Sequence, residues 1–312
     1  MAGAHGMSDI SVIIPTHRDA GRAVSAADAI WTQALPEGCA LQVIVVDDGS
    51  GDDSAERLAE RMDPRVRLLL LPTNVGRSGA RNAGAAIADG EFLVFMDCDC
   101  LPTGSGFLQA HLAAMRNGAV ACTGDVLGAG GGFWDRYQRE ASLRRRRQHG
   151  AGMRYAGSSQ NLAVRRDAFE ASGGFDTGYR RYGFEDRDLL LRLSALGPIA
   201  WTDAAVRHLD RFDLAQVSRK MAEAGAWSSP RFAARHPDAY RALGFAALDA
   251  RERRWLRPAA RLLDRCLPSL AKRVDSLLEA AWIPYAARAA MTRLVTGLSY
   301  LAGTSRSLTG AD

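Results

Sequence analysis

Residues 91–101 read Glu91-Phe92-Leu93-Val94-Phe95-Met96-Asp97-Cys98-Asp99-Cys100-Leu101. Phe92–Met96 is an unbroken apolar run, the pattern of a strand buried on both faces of a parallel sheet. It stops abruptly at Asp97-Cys98-Asp99. On an extended backbone Asp97 and Asp99 point to one side and Cys98 to the other. Two adjacent carboxylates at the end of a buried strand repel each other, and a divalent cation such as Mg²⁺ or Mn²⁺ relieves the repulsion. The carboxyl end of such strands is also where open α/β sheets bind ligands. The stretch therefore predicts a metal site that holds a diphosphate. Asp-x-Asp by itself also opens ordinary solvated loops, so the flanking sequence decides.

Working outward, residues 10–125 alternate between short apolar runs and helical patterns. Ile10–Ile14 leads into Pro15-Thr16, Val43–Val46 into Asp47-Asp48-Gly49-Ser50, and Val66–Leu71 into Thr73-Asn74. Helical periodicity lies between the runs, at Val24, Ala27, Ile30 and Trp31, at Leu58 and Met62, across Ser78–Ala88, and at Phe107–Arg116. Strands separated by one helix each predict an α/β fold with a mostly parallel sheet and right-handed crossovers. After Asp125 the pattern changes. Phe133–Arg147 reads as a basic helix, Tyr155–Val164 as extended, Tyr179–Leu196 as a segment ending in a helix, and Ile199–Val206 as a strand leading to His208. From Leu214 onward the chain reads helical.

Composition narrows the function classes. Residues 251–312 carry a net charge of +6 and residues 1–250 a net −1, so the basic excess sits in the tail. A nucleic-acid binder normally spreads its positive charge over the main domain. A basic tail suits an anionic membrane surface or a solvated face. Met1–Asp9 lacks the basic start and apolar core of a signal peptide. The least polar stretch, Ala280–Ala302, is interrupted by Arg288 and Arg293, so no membrane-spanning helix is expected. Five cysteines without framework spacing point to a reducing, cytoplasmic setting. Cys98 and Cys100 lack a partner pair at zinc spacing.

The strand-end residues carry the chemistry. Pro15, Thr16, Asp48 and Asp97 each follow an apolar strand, and Asp accepts hydrogen bonds from the N–H and O–H groups of a base and a ribose. Asn74-Val75-Gly76-Arg77 and Ala80-Arg81-Asn82-Ala83-Gly84 add small residues for close backbone approach and two guanidinium groups suited to phosphate. Glu185-Asp186-Arg187-Asp188 opens a helix. Capping accounts for one of these acids, and a carboxylate there can also take a proton from an incoming hydroxyl. His208 is either a structural histidine or a further metal ligand.

With these pieces in hand, the sequence resembles the family 2 glycosyltransferases of the GT-A fold. The matching pieces are Ser11–Thr16, Val45–Ser50, Asn74-x-Gly76 with Ala80-Arg81-Asn82-x-Gly84, Met96–Asp99, Gly173–Asp176 and Gly183–Leu189, in the family's order. The resemblance implies a GT-A-like (Rossmann-like) mostly parallel sheet flanked by helices, with a helical C-terminal appendage. It implies a catalytic domain at 10–212, with a nucleotide-binding half at 10–125 and an acceptor-binding half at 126–212. A helical region would follow at 213–303, with disordered ends at 1–9 and 304–312. It further implies an inverting, metal-dependent transfer of one sugar from a nucleotide-diphosphate sugar, UDP by family default, to an acceptor hydroxyl. Asp48 would contact the base, Asp97 the ribose or metal, Asp99 and His208 a Mn²⁺ or Mg²⁺ ion, and Asp186 would be the base. Pro15, Thr16, Asn74, Arg77 and Arg81 would complete the nucleotide-sugar site, with Gln160, Asn161 and Glu185 near the acceptor or donor sugar.

Cys100 after Asp-x-Asp departs from the pattern. The Gln-x-x-Arg-Trp signature of processive synthases is absent, since Arg253-Arg254-Trp255 lacks the glutamine. A sugar-1-phosphate nucleotidyltransferase would want a Gly-rich basic loop after the first strand, and Pro15-Thr16-His17-Arg18 is not one. A non-catalytic nucleotide-sugar-binding module is the other alternative. In the tail, Pro284 is placed to begin a helix. There Ala287, Met291, Leu294, Leu298 and Leu301 form one apolar stripe that packs on the protein, on a second copy, or on the inner membrane surface.

Overall fold

The computed structural model describes residues 9–306. Eight strands form one sheet: β1 (Ile10–Thr16), β2 (Leu41–Asp47), β3 (Arg67–Leu70), β4 (Phe92–Phe95), β5 (Cys100–Pro102), β6 (Ala121–Gly128), β7 (Leu162–Arg165) and β8 (Ile199–His208). Their spatial order is β3-β2-β1-β4-β7-β6-β8-β5. The run β3-β2-β1-β4 is parallel. Beyond it β7 lies antiparallel to both β4 and β6, β8 parallel to β6, and β5 antiparallel to β8. The helices of this part are α1 (Ala20–Trp31), α2 (Ser54–Arg61), α3 (Gly76–Ala86), α4 (Phe107–Arg116), α5 (Gly132–Gly150), α6 (Arg166–Ala171) and α7 (Glu185–Ser194).

Both faces of the sheet are covered, which is why its strands read as unbroken apolar runs. Val12, Val43, Val45, Val94 and Met96 join one core with Ala27 and Ile30 of α1 and Leu108 and Leu112 of α4. Their alternates Ile13, Ile44, Val46, Leu93 and Phe95 join the other with Ala80 of α3, Phe169 of α6 and Leu189 and Leu193 of α7. Two local expectations are corrected. The Asp97–Asp99 segment is a turn closed by the Cys100 N–H on the Asp97 carbonyl at 3.0 Å, so the alternation of an extended strand does not carry through it. Of Tyr155–Val164, only the last residues enter a strand; the rest is turns.

The chain divides into two compact units. One takes the chain up to Ala129, Gln138–Thr177 and Asp186–Asp210; the other takes Gly130–Tyr137, Gly178–Glu185 and the chain from Arg211 onward. The boundary expected at 212 is therefore interleaved, with two earlier segments belonging to the second unit. That unit holds α8 (Leu214–Glu223), α9 (Ser229–Arg235), α10 (Pro237–Ala242), α11 (Arg257–Leu278) and α12 (Tyr285–Arg306). Pro284 does precede α12, and its carbonyl accepts from the N–H groups of Ala287 and Arg288.

The buried face of α12 follows the expected stripe only in part: Leu301 is buried and Met291 and Leu298 pack against the core. Leu294 is 61% exposed and Ala287 is exposed, while Ala289, Thr292, Val295, Ser299 and Ala302 are buried. Small side chains win because the helices come too close for leucine. A Cβ added to Gly303 would strike the carbonyl of Ala222, and one added to Gly225 that of Tyr300. The buried hydroxyls cost little here. Thr292 Oγ1 donates to the Arg288 carbonyl at 3.0 Å and Ser299 Oγ to that of Val295 at 2.8 Å.

The expected disordered ends lie almost wholly outside the described residues. Asp9 is described and is bonded to Ala40 in both directions. Thr304–Arg306 close α12, with Thr304 Oγ1 accepting from the Ala250 N–H at 3.0 Å. Those three residues are helix, not tail.

Candidate active site

The loops after β1, β2 and β3 interlock at the carboxyl edge of the sheet. Asp47 accepts from the N–H of Ser50 at 3.2 Å and from its hydroxyl, and Ser50 Oγ in turn accepts from the Arg18 N–H at 2.8 Å. Gly49, at φ 60°, approaches the backbone of Thr73 so closely that a Cβ would collide with it. Asp48 Oδ1 accepts from the Val75 N–H at 2.7 Å. Burial raises the Asp48 carboxyl, against the pull of the Val75 and Gly76 N–H groups. Asn74 Nδ2 lies 3.1 Å from His17 Nδ1, which lies 3.1 Å from the Asp48 carbonyl. His17 thus joins Asp48 and Asn74, a role sequence reading did not assign. Thr16 is buried and donates to the Asp19 carbonyl, so its hydroxyl serves the start of α1. Pro15 lies half-buried beside it.

Asp97 is held from the other side of the sheet. Arg81, 1% exposed, donates to Asp97 Oδ1 at 2.6 Å. Burial works to raise the Asp97 carboxyl, but the charges of Arg81 and Arg77 outweigh it and hold it below its usual range. Arg81 was expected as a phosphate ligand. Its burial and its bond to Asp97 correct that: it positions a carboxylate.

Asp99 has a different partner. β5 pairs antiparallel with β8 in a register that sets Cys100 opposite His208. The Leu209 N–H donates to the Asp99 carbonyl at 2.7 Å. His208 Nε2 then lies 3.3 Å from Asp99 Oδ2. Ligand atoms of Asp99, Cys100 and His208 lie within 4.8 Å of one another. A carboxylate and an imidazole fit Mn²⁺ or Mg²⁺. The Cys100 thiol is buried and pushed well above its ordinary value by desolvation and then by Asp97 and Asp99. It stays a neutral S–H, a poor ligand for a hard cation. Asp99 and His208 are therefore the residues that would hold such an ion. Asp97, expected in the metal set, belongs with Arg81 in this arrangement. Arg22 on α1 pairs with Asp210 at 2.5 Å, and the charge of Asp99 also acts on it. This cation was missed in the sequence, because only the return of β8 brings residue 210 to α1.

At the start of α7 the three acids separate. Asp188 is fully buried and bound by Arg192 at 2.7 Å. Glu185 is buried. Asp186 is half-buried, the most exposed of the three acids, and its Oδ1 accepts from the Arg187 N–H at 2.8 Å. Gln160 is half-buried and lies beside Ser158. Asn161, expected near the sugars, is fully buried. Its amide donates to the Asp125 and Ala204 carbonyls at 3.0 Å each, and its oxygen accepts from His111 Nε2 at 2.8 Å. All its polar capacity is used inside the core, so it is structural.

Comparison with known proteins follows these features. The model of the family described as glycosyl transferase family 2 matches residues 11–175. The succinoglycan biosynthesis protein ExoO of Rhizobium meliloti (strain 1021) is 37% identical over 91 residues, which are 29% of this chain and 25% of that protein. The undecaprenyl-phosphate 4-deoxy-4-formamido-L-arabinose transferase of Salmonella paratyphi B is 25% identical over 195 residues, 62% of this chain and 54% of that one. The aligned chain thus spans between a quarter and about half of these relatives' length. Among solved structures, the mannosyltransferase PcManGT from Pyrobaculum calidifontis, in complex with GDP-Man and Mn²⁺, superposes with a TM-score of 0.59 at 22% identity. That match covers 99% of this chain and 89% of that one. At that identity the likeness bears on the fold alone, and the fold is the GT-A-like sheet with C-terminal helices.

Proposed function

The chain belongs to glycosyl transferase family 2, and from that premise we propose that it moves one sugar from a nucleoside-diphosphate sugar to an acceptor hydroxyl with inversion of configuration. The observation that carries this reading is the Asp99–His208 pair, a carboxylate and an imidazole 3.3 Å apart at the edge of a nucleotide-binding sheet. Asp48, with Asn74 and His17, takes the base end of the donor. Asp97, oriented by Arg81, accepts from the ribose hydroxyls. Arg77 supplies positive charge beside them.

Asp186 accepts the proton of the acceptor hydroxyl as its oxygen attacks the anomeric carbon from the face opposite the diphosphate. In-line displacement from that face inverts the centre. Asp99 and His208 would hold a divalent cation, which would supply positive charge for the departing diphosphate. Asp188 stays tied to Arg192 and keeps the helix that presents Asp186 in place. UDP is the nucleotide assigned by family default. GDP-mannose is the alternative, since the mannosyltransferase neighbour was solved with it.

The test is donor binding and turnover by the purified protein. UDP-sugars and GDP-mannose are titrated by calorimetry with Mn²⁺ and again with chelator, and slow donor hydrolysis is followed. Metal-dependent binding of one donor is expected. Failure of every nucleotide sugar to bind would leave a protein that keeps the family's fold without its chemistry. Tight binding without hydrolysis or transfer would favour a non-catalytic nucleotide-sugar-binding module.

A further inference from the structure

In the C-terminal unit several large apolar side chains stand in solvent. Trp255 is 73% exposed, Leu262 65% and Trp282 81%. Exposed apolar residues scattered singly need no explanation; these are arranged. Residues of α11 at spacings of four and seven share a face. Ala260, Leu267, Ala271 and Leu278 form its buried row. Leu262, Cys266, Leu270 and Leu277 form a second row, exposed along the whole helix. Arg261, Arg265 and Lys272 form a third, also exposed. At about 100° per residue, the apolar row lies on one flank of the helix and the basic row on the other, each roughly a third of a turn from the buried row, with Arg273 within the span of the apolar row. The helix is bracketed by indoles: Trp255 lies in the 3₁₀ turn Arg254–Leu256 before it, and Trp282 in the turn after it. Exposed Arg253 and Arg254 adjoin Trp255.

A solvated helix carries polar residues on its outer face. One with an exposed leucine row on one flank, cations on the other and tryptophans at both ends suits a surface that is apolar inside and anionic at its rim. Residues 251–312 carry a net +6, so the charge on offer is complementary to an acidic partner. A second copy carries the same net positive charge in this region, so like-charge repulsion makes it a poorer occupant than an anionic surface. A bilayer meets each requirement. Leucines enter the acyl boundary, indoles settle at headgroup depth, and Arg and Lys meet lipid phosphates. Among the described residues no helix is long and apolar enough to cross a membrane, so contact through α11 lies in the membrane plane.

We propose that the outer face of α11, with Trp255 and Trp282, docks the protein on an anionic lipid bilayer. This differs from the sequence expectation, which assigned the lipid contact to α12. The proposal does not depend on which sugar the protein transfers.

The experiment is co-sedimentation of the full-length protein with phosphatidylcholine vesicles, with and without phosphatidylglycerol, at low and high salt. Binding only to the anionic vesicles, weakened by salt, is expected, with a blue shift of tryptophan emission. Arg261→Glu combined with Arg265→Glu and Lys272→Glu should lower the partition coefficient at least about tenfold. Leu262→Ser combined with Leu270→Ser should do the same while the melting temperature stays near that of the wild type. The emission shift should shrink in Trp282→Ser. Wild-type protein that stays in the supernatant, binds neutral vesicles equally, or retains its binding in both row variants overturns the proposal. So does a lipid-independent dimer that Leu262→Ser with Leu270→Ser dissociates, which would make the face a contact between copies.

Discussion

His208 Nε2, at the end of β8, stands 3.3 Å from Oδ2 of Asp99, in the turn before β5, and the pairing of β5 with β8 brings the two together. Asp97, two residues before Asp99, faces Arg81 instead. The Asp-x-Asp turn therefore divides its acids between two partners: one carboxylate is neutralised by a fixed guanidinium, and the other sits beside an imidazole. That division makes the contributions of Asp97 and Asp99 separable by experiment.

Mn²⁺ should raise the melting temperature of the wild type and leave Asp99→Asn and His208→Gln unmoved. At a hundredfold excess over the dissociation constant, binding adds about 2.7 kcal/mol, worth a few degrees in a chain of this size. Scanning calorimetry with and without Mn²⁺ measures it. An equal rise in wild type and both variants would place the ion elsewhere.

Asp186→Asn should lower kcat by about 10²-fold or more while the donor dissociation constant holds. Asp188→Asn should instead cost stability, about 3–5 kcal/mol, because it leaves Arg192 without its buried counter-ion. If the two variants exchange phenotypes, the acids have been assigned in the wrong order.

Arg81→Met should destabilise by about 3 kcal/mol, since the half-buried Asp97 loses its fixed cation. The pH dependence follows from the depressed Asp97 carboxyl. Below its folded value both states are protonated and the contribution is gone; above the ordinary carboxylate value, near 3.9, it is fully present. In Arg81→Met the carboxyl rises, so the acid loss should begin at higher pH. Urea unfolding across the acid range reads both effects, and a variant as stable as wild type throughout would mean the pair carries no energy.

β1, β2 and β4 were legible because each is buried on both faces, so local apolar content alone marks them. The order of acids, from Asp48 through Asp97 and Asp99 to Asp186, was legible as a pattern. Their partners were not. The β5–β8 pairing that seats His208 involves a three-residue strand, too short to carry a periodic signal. The turn at Asp97–Cys100 defeats an argument from strand alternation, and it accounts for Cys100, a small side chain packed against β8. Asn161 looked like a sugar ligand because an amide beside a strand suits hydroxyls. Nothing local reveals that His111 and two carbonyls already take it. The face of α12 was partly misread because leucine spacing was weighed over alanine, serine and glycine, which bury wherever helices approach closely.

His111 is a pH-dependent part of that buried network. Burial lowers its pKa from 6.5 to about 4. Nε2 donates to Asn161, so Nδ1 is the acceptor facing Cys122 Sγ at 3.2 Å. Between those values the unfolded state binds the extra proton. Stability is therefore full above about 6.5 and falls as pH drops toward about 4, by about 3 kcal/mol. His111→Gln, whose amide can still donate to Asn161, should flatten the slope across that window even though it lowers stability overall. An unchanged slope would show that other groups cause it.

Phe184 precedes Glu185 and Asp186 at φ 73°, after Gly183 at φ 98°. For a bulky residue that backbone costs on the order of 1–3 kcal/mol. Its ring is buried against Phe232 at 4.8 Å and Phe245 at 5.0 Å between centroids. Aromatic packing thus maintains a strained turn just before the acids that open α7, and we propose that Phe184 positions Asp186, the proposed base. Phe184→Ala should cost about 3–5 kcal/mol. Well below its melting temperature it should lower kcat more than it changes the donor KM. Phe184→Leu, which refills part of the pocket, should recover stability before it recovers kcat, because a flexible side chain holds the turn less firmly than a ring clasped by two others. If kcat in both variants simply follows the folded fraction, Phe184 is a core residue with no part in placing the base.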